Sequence, residues 1–129
     1  MKNKLILLIG IALAVLAITF AGLYGWIAYT VKHNITVAME KYPGQAEDAL
    51  ISCLRDESNS PRERTHVAVW TLGKIRSRAA LPALYSYYRN DPEGKTCYGR
   101  HGTDLCQYEL YKAIKAIEEG TVFSFQWLR

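Results

Sequence analysis

The N-terminal quarter of the chain is a single apolar run. The 27 residues between Lys4 and Lys32 carry no charge, and about 20 helical residues are enough to cross the hydrocarbon core of a bilayer. Aromatic rings, which favour the headgroup level, lie at one end of the run: Tyr24, Trp26 and Tyr29. A cleaved signal peptide is the alternative, but its apolar stretch usually spans only about 7–15 residues. We therefore predict a transmembrane anchor over residues 1–31, with residues 5–30 in contact with lipid.

The distribution of positive charge predicts the orientation of this anchor. Lys2, Lys4 and the terminal amine precede the apolar run, whereas Lys32 and Lys41 follow it among acidic residues. Because positive flanks tend to stay in the cytoplasm, we expect a cytoplasmic N-terminus and an extracytoplasmic C-terminal domain.

Beyond the anchor, apolar residues recur at the three- and four-residue spacing of helices rather than at the alternation of strands. We predict a juxtamembrane linker over residues 32–44, in which the membrane helix can continue as far as the Tyr42-Pro43-Gly44 breaker. A helical domain then covers residues 45–129. Its four helices are expected at about 45–57, 61–76, 79–90 and 104–119.

Capping residues support these helix boundaries. Ser60 is placed to cap the second helix, with Pro61 at its first position and Glu63 as a capping-box partner. Asp104 is the expected cap of the fourth helix, and Gly120 is expected to end it. The aromatic tail after Gly120 is expected to fold back over a helix face.

The helical spacing also predicts which side chains form the core. In the first helix these are Ala46, Ala49, Leu50, Cys53 and Leu54, and in the second Val67, Ala68, Trp70, Leu72 and Ile75. In the third they are Leu81, Leu84, Tyr85 and Tyr88, and in the fourth Leu105, Tyr108, Leu110, Tyr111, Ile114 and Ile117.

The four helices form two imperfect copies of a helix pair. Residues 50–56 (LISCLRD) align with residues 84–90 (LYSYYRN) at an offset of 34, and residues 67–75 (VAVWTLGKI) align with residues 109–117 (ELYKAIKAI) at an offset of 42. The second offset is longer by eight residues, which places an insertion in the loop at residues 91–103 of the second copy. Helix pairs repeated at this period are typical of α-solenoids.

One of these segments resembles a known family. Residues 68–84 (AVWTLGKIRSRAALPAL) are similar to the HEAT-like repeat, particularly the short bacterial type also found in phycobilisome lyases. The resemblance extends over about residues 45–119 and implies an all-α fold, a short α-solenoid of HEAT-like helix pairs. In this pattern Gly73 allows close helix contact and Pro82 opens the next helix. The turn, usually acidic in the family, here reads Arg76-Ser77-Arg78.

The resemblance implies a protein-binding scaffold, and it transfers no cofactor-binding residue and no catalytic activity. We therefore expect a membrane-tethered, non-enzymatic interaction scaffold or an accessory subunit of a membrane complex. Basic and acidic residues are interleaved and the formal net charge is only +4, which argues against nucleic-acid binding. No motif for a small-molecule substrate, cofactor or metal stands out.

Two alternatives concern the loop that contains Cys97, His101 and Cys106. The three residues have a spacing that could ligate zinc or serve a thiol-based enzyme or regulator, although a fourth ligand is missing. The favoured interpretation is a Cys97–Cys106 disulfide, which an extracytoplasmic compartment would permit.

The partner surface is expected where exposed tyrosines and arginines coincide, because both residue types are enriched at interface hot spots. The predicted residues are Arg76, Arg78, Tyr85, Tyr88, Arg89, Tyr98 and Arg100.

Overall fold

The computed structural model describes residues 2–97 and 104–129, and within these ranges the protein contains helices and no strand. Helix α1 spans Lys2–Lys41 and α2 spans Ala46–Arg55. Three consecutive segments, Pro61–Glu63, Arg64–Val69 and Trp70–Lys74, form α3. Helix α4 spans Leu81–Tyr87 and α5 spans Gln107–Glu119. Short 3-10 turns occur at Arg78–Ala80, Lys95–Cys97 and Gln126–Leu128.

The chain divides into two compact units, Met1–Thr30 and Val31–Arg129. The first unit belongs to a helix that is long and apolar enough to cross a membrane, with a mean hydropathy of 2.8 over its most apolar window. None of that window is buried within the protein. Trp26 and Tyr29 at its end are about 70% exposed, at 71% and 70%.

The second unit begins earlier than the sequence-based boundary. Residues 32–44, predicted as a linker, belong to it. Helix α1 continues without a break to Lys41, and its Val31, Ile35 and Ala38 side chains are buried. The chain leaves the helix at the expected breaker, where Gly44 has a φ of 126°. The last three turns of α1 are therefore part of the folded core.

Asn34 shows how this end of α1 is held. Its side-chain amide is buried and donates to the His66 carbonyl (3.1 Å) and to the Thr71 hydroxyl (2.9 Å). Asn34 also begins a formal glycosylation sequon. Because its amide is buried and makes both hydrogen bonds, Asn34 acts in the structure as an internal polar anchor.

The same contact lies beside a change in the backbone of α3. Residues Arg64–Val69 form a π-helical turn, in which the Trp70 amide bonds to the Thr65 carbonyl five residues earlier. In a regular α-helix the Trp70 amide would bond to the His66 carbonyl, which here accepts from Asn34. The wider turn changes which side chains face the core: Val69 is fully buried, whereas Val67 and Trp70, both predicted core residues, are only half-buried.

Helix α2 follows the predicted pattern throughout. All five expected core residues are buried. Its C-terminal corner is closed by Asp56, whose carboxylate accepts from the Ser58 hydroxyl (2.6 Å) and amide (2.9 Å) and from the Tyr42 hydroxyl (2.5 Å). The bonds from Ser58 and then Tyr42 lower the pKa of Asp56 to about 2.

The start of α3 is confirmed as a capped N-terminus. The Ser60 hydroxyl accepts from the Glu63 amide at 3.1 Å, and Pro61 occupies the first turn. Lys41 and Asn59 are hydrogen-bonded just before this cap, and the Asn59 amide also donates to the Cys53 carbonyl at 3.1 Å.

Helices α3 and α5 approach each other at Gly73. A Cβ at this position would lie 2.9 Å from the Ala113 Cα and 3.1 Å from its Cβ, closer than non-bonded carbons normally pack. Gly73 therefore allows the close contact expected from the repeat pattern.

The second half of the domain departs from prediction in its helix bounds and in its core. Helix α4 covers only Leu81–Tyr87 of the predicted 79–90. Helix α5 begins at Gln107, with Cys106 rather than Asp104 at the N-cap position, so the predicted Asp104 cap is wrong. The side-chain nitrogen of Gln107 donates to the Tyr87 carbonyl (3.1 Å), and its side-chain oxygen accepts from the Arg89 backbone amide (2.6 Å). These two bonds hold the start of α5 against the end of α4. Tyr85 and Tyr108, assigned to the core, are 48% and 44% exposed, since the Tyr85 hydroxyl bonds to Glu118 and the Tyr108 ring lies under the Lys112 ammonium group. Three other predicted core residues are only half-buried: Leu81, Tyr88 and Tyr111.

The C-terminus of α5 is closed from two sides. Gly120 ends the helix with a φ of 102°. The Arg76 guanidinium donates to the carbonyls of Ala116 (3.1 Å) and Ile117 (3.3 Å). The Ala116 carbonyl also accepts from the Gly120 amide at 3.1 Å, whereas the Ile117 carbonyl belongs to the last turn, whose carbonyls a helix end leaves without intrahelical partners. Arg76 supplies a donor to that carbonyl. The tail folds back as expected: Phe125 is fully buried and its amide bonds to the Lys74 carbonyl at 2.9 Å.

Candidate functional site

The five predicted partner residues that the structure describes line three different grooves. Tyr85 and Tyr88 line one groove, Arg76 and Arg78 line a second, and Arg89 lines a third cavity. Tyr98 and Arg100, also predicted for this surface, lie outside the described residues, as does His101.

The first groove, here called the tyrosine groove, runs between α4 and α5 and has a volume of about 200 Å³. Tyr88 and Tyr111 stack across it with ring centroids 6.4 Å apart and an interplanar angle of 27°. Tyr85 is half exposed at its edge, and its hydroxyl donates to Glu118 Oε1 at 2.6 Å. The bond to Glu118, together with partial burial, raises the pKa of Tyr85. Burial likewise raises the pKa of Tyr88, so both phenols stay neutral hydrogen-bonding groups at physiological pH.

The tyrosine groove combines aromatic rings with charged side chains. Its rings present wide, rigid apolar surface at a low entropic cost of ordering. Lys115, Glu118 and Glu119 place both signs of charge around the rings, as is usual at an interface rim.

The second groove, here called the arginine groove, has a volume of about 240 Å³ and is lined by Arg76, Arg78, Ile117, Gln126 and Arg129. Arg78 is exposed, whereas Arg76 is half-buried and held by the end of α5. Arg129 lies 3.9 Å from a Glu47 carboxylate oxygen. The lining thus contains three guanidinium groups and no acidic side chain.

The third cavity is larger, about 450 Å³, and mixed in charge. Arg89 on its rim is exposed and lies 3.4 Å from Asp104, a surface ion pair of the kind that contributes little. Deeper in the wall, Arg64 is buried, donates to the Leu54 carbonyl at 2.7 Å and stacks 4.9 Å from the Tyr87 ring centroid. Arg64 thus caps α2 as Arg76 caps α5.

The cysteine loop closes through a disulfide. Cys97 and Cys106 are bonded, with their Cα atoms 4.9 Å apart, so neither sulfur in this structure is a thiolate ligand or nucleophile. Gly94 supports the loop: it has a φ of 65°, and a Cβ there would lie 2.5 Å from the Tyr108 Cβ. No group of three His, Cys, Asp or Glu residues suited to a metal occurs in residues 2–97 and 104–129.

Cys53 is the remaining cysteine and is a buried free thiol. Burial raises its pKa, which lowers the fraction of the reactive thiolate. It therefore serves as a small core residue.

The groove residues that sequence reasoning missed include Glu118, Gln126 and Arg129. Glu118 lies seven residues after Tyr111 and four after Ile114, so helical spacing could have placed it beside them. Gln126 and Arg129 reach the arginine groove only because the tail folds back at Phe125, and no local pattern predicts that position.

Comparison with known proteins gives no relative from which to transfer a function: no family model, no curated protein and no solved structure matches this chain significantly.

Proposed function

We propose that this chain is a membrane-tethered, non-enzymatic interaction scaffold, either free-standing or as an accessory subunit of a membrane complex. The observation that carries the proposal is the tyrosine groove. Stacked rings of Tyr88 and Tyr111 and the half-exposed Tyr85 present the kind of anchor surface on which protein interfaces concentrate their binding energy.

The proposed architecture is a short HEAT-like solenoid of two helix pairs. Helix α2 with α3 would form one pair, and α4 with α5 the other. The close approach of Gly73 to Ala113 supports it, because α3 and α5 are the equivalent helices of the two copies. The last turns of α1 and the tail around Phe125 would cover the ends, as terminal caps do in repeat proteins.

The proposed location is a single-pass protein with a cytoplasmic N-terminus and an extracytoplasmic domain. Two features support this orientation: the lysines before the apolar run, and the Cys97–Cys106 disulfide, a bond that persists in oxidising compartments. Protease added to right-side-out membrane vesicles should digest the domain, and protection of the domain would reverse the proposed orientation.

Site-specific photo-crosslinking tests the proposed function directly. A photoreactive phenylalanine analogue placed at Tyr85 of the full-length protein in native membranes should give a discrete protein adduct. Tyr108 is the matched control, because it is a tyrosine of similar exposure, 44% against 48%, outside the tyrosine groove. Equal adducts from both positions, or none from Tyr85, would remove the support for a partner at this groove.

A further inference from the structure

The arginine groove combines a guanidinium held by hydrogen bonds with an exposed one. Arg76 is held by two main-chain carbonyls of α5, so its charge is ordered before any ligand arrives. Arg78, two residues further along the chain, is exposed. A ligand anion therefore meets one pre-positioned guanidinium, and only the second has to be ordered on binding.

In the described part of the chain, the arginines of this groove have little acidic counter-charge. No ion pair joins Arg76 or Arg78 to an acidic residue within residues 2–97 and 104–129, and Arg129 has only the 3.9 Å contact with Glu47. The other two grooves differ, because Glu118 and Glu119 line the tyrosine groove and Glu57 and Asp104 line the third cavity. Of these three surfaces, only the arginine groove has a lining of one sign.

From these observations we infer that the arginine groove binds an acidic segment of a partner protein. The planar guanidinium group of arginine pairs well with carboxylates, since it can donate two parallel hydrogen bonds. The rest of the lining favours a peptide over a bare anion. Ile117 offers an apolar contact, and the side-chain amide of Gln126 can both donate to and accept from the backbone of a peptide. The inference rests on the proposed function only in taking the ligand to be a protein. The arginine groove is distinct from the tyrosine groove, although both are bordered by the last two turns of α5.

Fluorescence anisotropy on the full-length protein in neutral-lipid nanodiscs tests this inference. The probe is a labelled six-residue peptide of glutamate with one central leucine. It should bind the unaltered protein, and binding should weaken as salt rises because Coulomb attraction is screened. Arg78→Glu should lower the affinity by about tenfold or more, which corresponds to about 1.4 kcal/mol.

Arg62→Glu provides the matched control, since Arg62 is an exposed arginine of the same domain outside the groove, and it should leave the affinity nearly unchanged. Equal losses from both variants would show non-specific charge attraction and overturn the inference, as would absence of peptide binding. Anionic vesicles form a second arm. If they bind in an Arg78-dependent way and the peptide does not, the ligand is a lipid headgroup and the inference is wrong. Either failure leaves the crosslinking result at Tyr85 unaffected, so the two proposals fail separately.

Discussion

Gly73→Ala separates two opposing effects of one methyl group. Gly73 lies in the final α-helical segment of α3, where helix propensity alone favours alanine over glycine by about 0.8–1.0 kcal/mol. The added Cβ would lie 2.9 Å from the Ala113 Cα. That atom belongs to the backbone of α5, so the clash cannot be relieved by a side-chain rotation and the two helices have to move apart.

The packing effect should decide the outcome. Overpacking a closely packed core costs about 1–3 kcal/mol, and because this clash is with a backbone atom we take the upper half of that range, about 2–3 kcal/mol. After subtracting the gain in propensity of about 0.8–1.0 kcal/mol, we expect a net loss of about 1–2 kcal/mol. For a domain of this size, that corresponds to a fall in Tm of roughly 5–15 °C. Thermal unfolding of the full-length protein in mild detergent, followed by far-ultraviolet circular dichroism, measures the shift.

The identity of the clashing atom gives a second, stricter expectation. Adding Ala113→Gly to Gly73→Ala removes the 3.1 Å contact with the Ala113 Cβ but leaves the 2.9 Å contact with its Cα. The double variant should therefore not recover stability, since glycine in α5 also carries its own propensity cost. A Tm for Gly73→Ala equal to or above that of the unaltered protein would refute the close helix contact, and full rescue by Ala113→Gly would refute the backbone clash.

Four further predictions follow from single features of the domain. Thiol titration of the unfolded protein without reductant should find one reactive thiol, and three thiols would contradict the disulfide. Replacing Cys97 and Cys106 by serine should lower the free energy of chemical unfolding by about 2–3 kcal/mol, as expected for a disulfide that closes a short loop. Arg76→Ala should destabilise the domain by about 1–3 kcal/mol through two lost charge-assisted bonds, and Arg76→Gly should cost less because Arg76 has a φ of 51°. The lowered pKa of Asp56 contributes stability that is present above the ordinary pKa of aspartate and is lost as the pH falls toward 2. In melting curves measured at a series of acidic pH values, Asp56→Asn should therefore reduce the fall of Tm with pH, and an unchanged fall would contradict the assignment. A fragment of residues 45–129 should fail to unfold cooperatively, whereas a fragment beginning at residue 31 should do so, because the core includes the last turns of α1.

The parts of the fold that could be predicted from the sequence are those in which the apolar residues of a helix recur at one regular spacing. In α2, Ala46 to Leu54 follow a single apolar face, and every predicted core position is buried. The Ser60 cap and the Gly120 stop were predicted as well, because each depends on the chemistry of one residue type at a defined position. The close contact at Gly73 was expected from the resemblance to the HEAT-like repeat.

Prediction failed where the backbone departs from a regular α-helix beside a contact that is distant in the sequence. Nothing within residues 61–76 signals a π-helical turn, since its partner is Asn34, more than thirty residues earlier in the chain. The same limit applies to the candidate site. Tyr85 and Tyr88 could be named from composition and spacing, whereas the contribution of Arg129 depends on the path of the tail.

Asn34 also explains why the domain boundary could not be read from hydropathy. A hydropathy pattern marks where an apolar run ends, and here that is Lys32. The folded unit, however, is determined by burial and hydrogen bonding, and Asn34 makes two hydrogen bonds to α3 from within helix α1. Removing Asn34 would leave the Thr71 hydroxyl and the His66 carbonyl without this donor in a closely packed region, at a cost of about 1–3 kcal/mol for an unsatisfied buried group. A polar residue that resembles a surface sequon in the sequence thus joins the end of an apolar helix to the core of the domain.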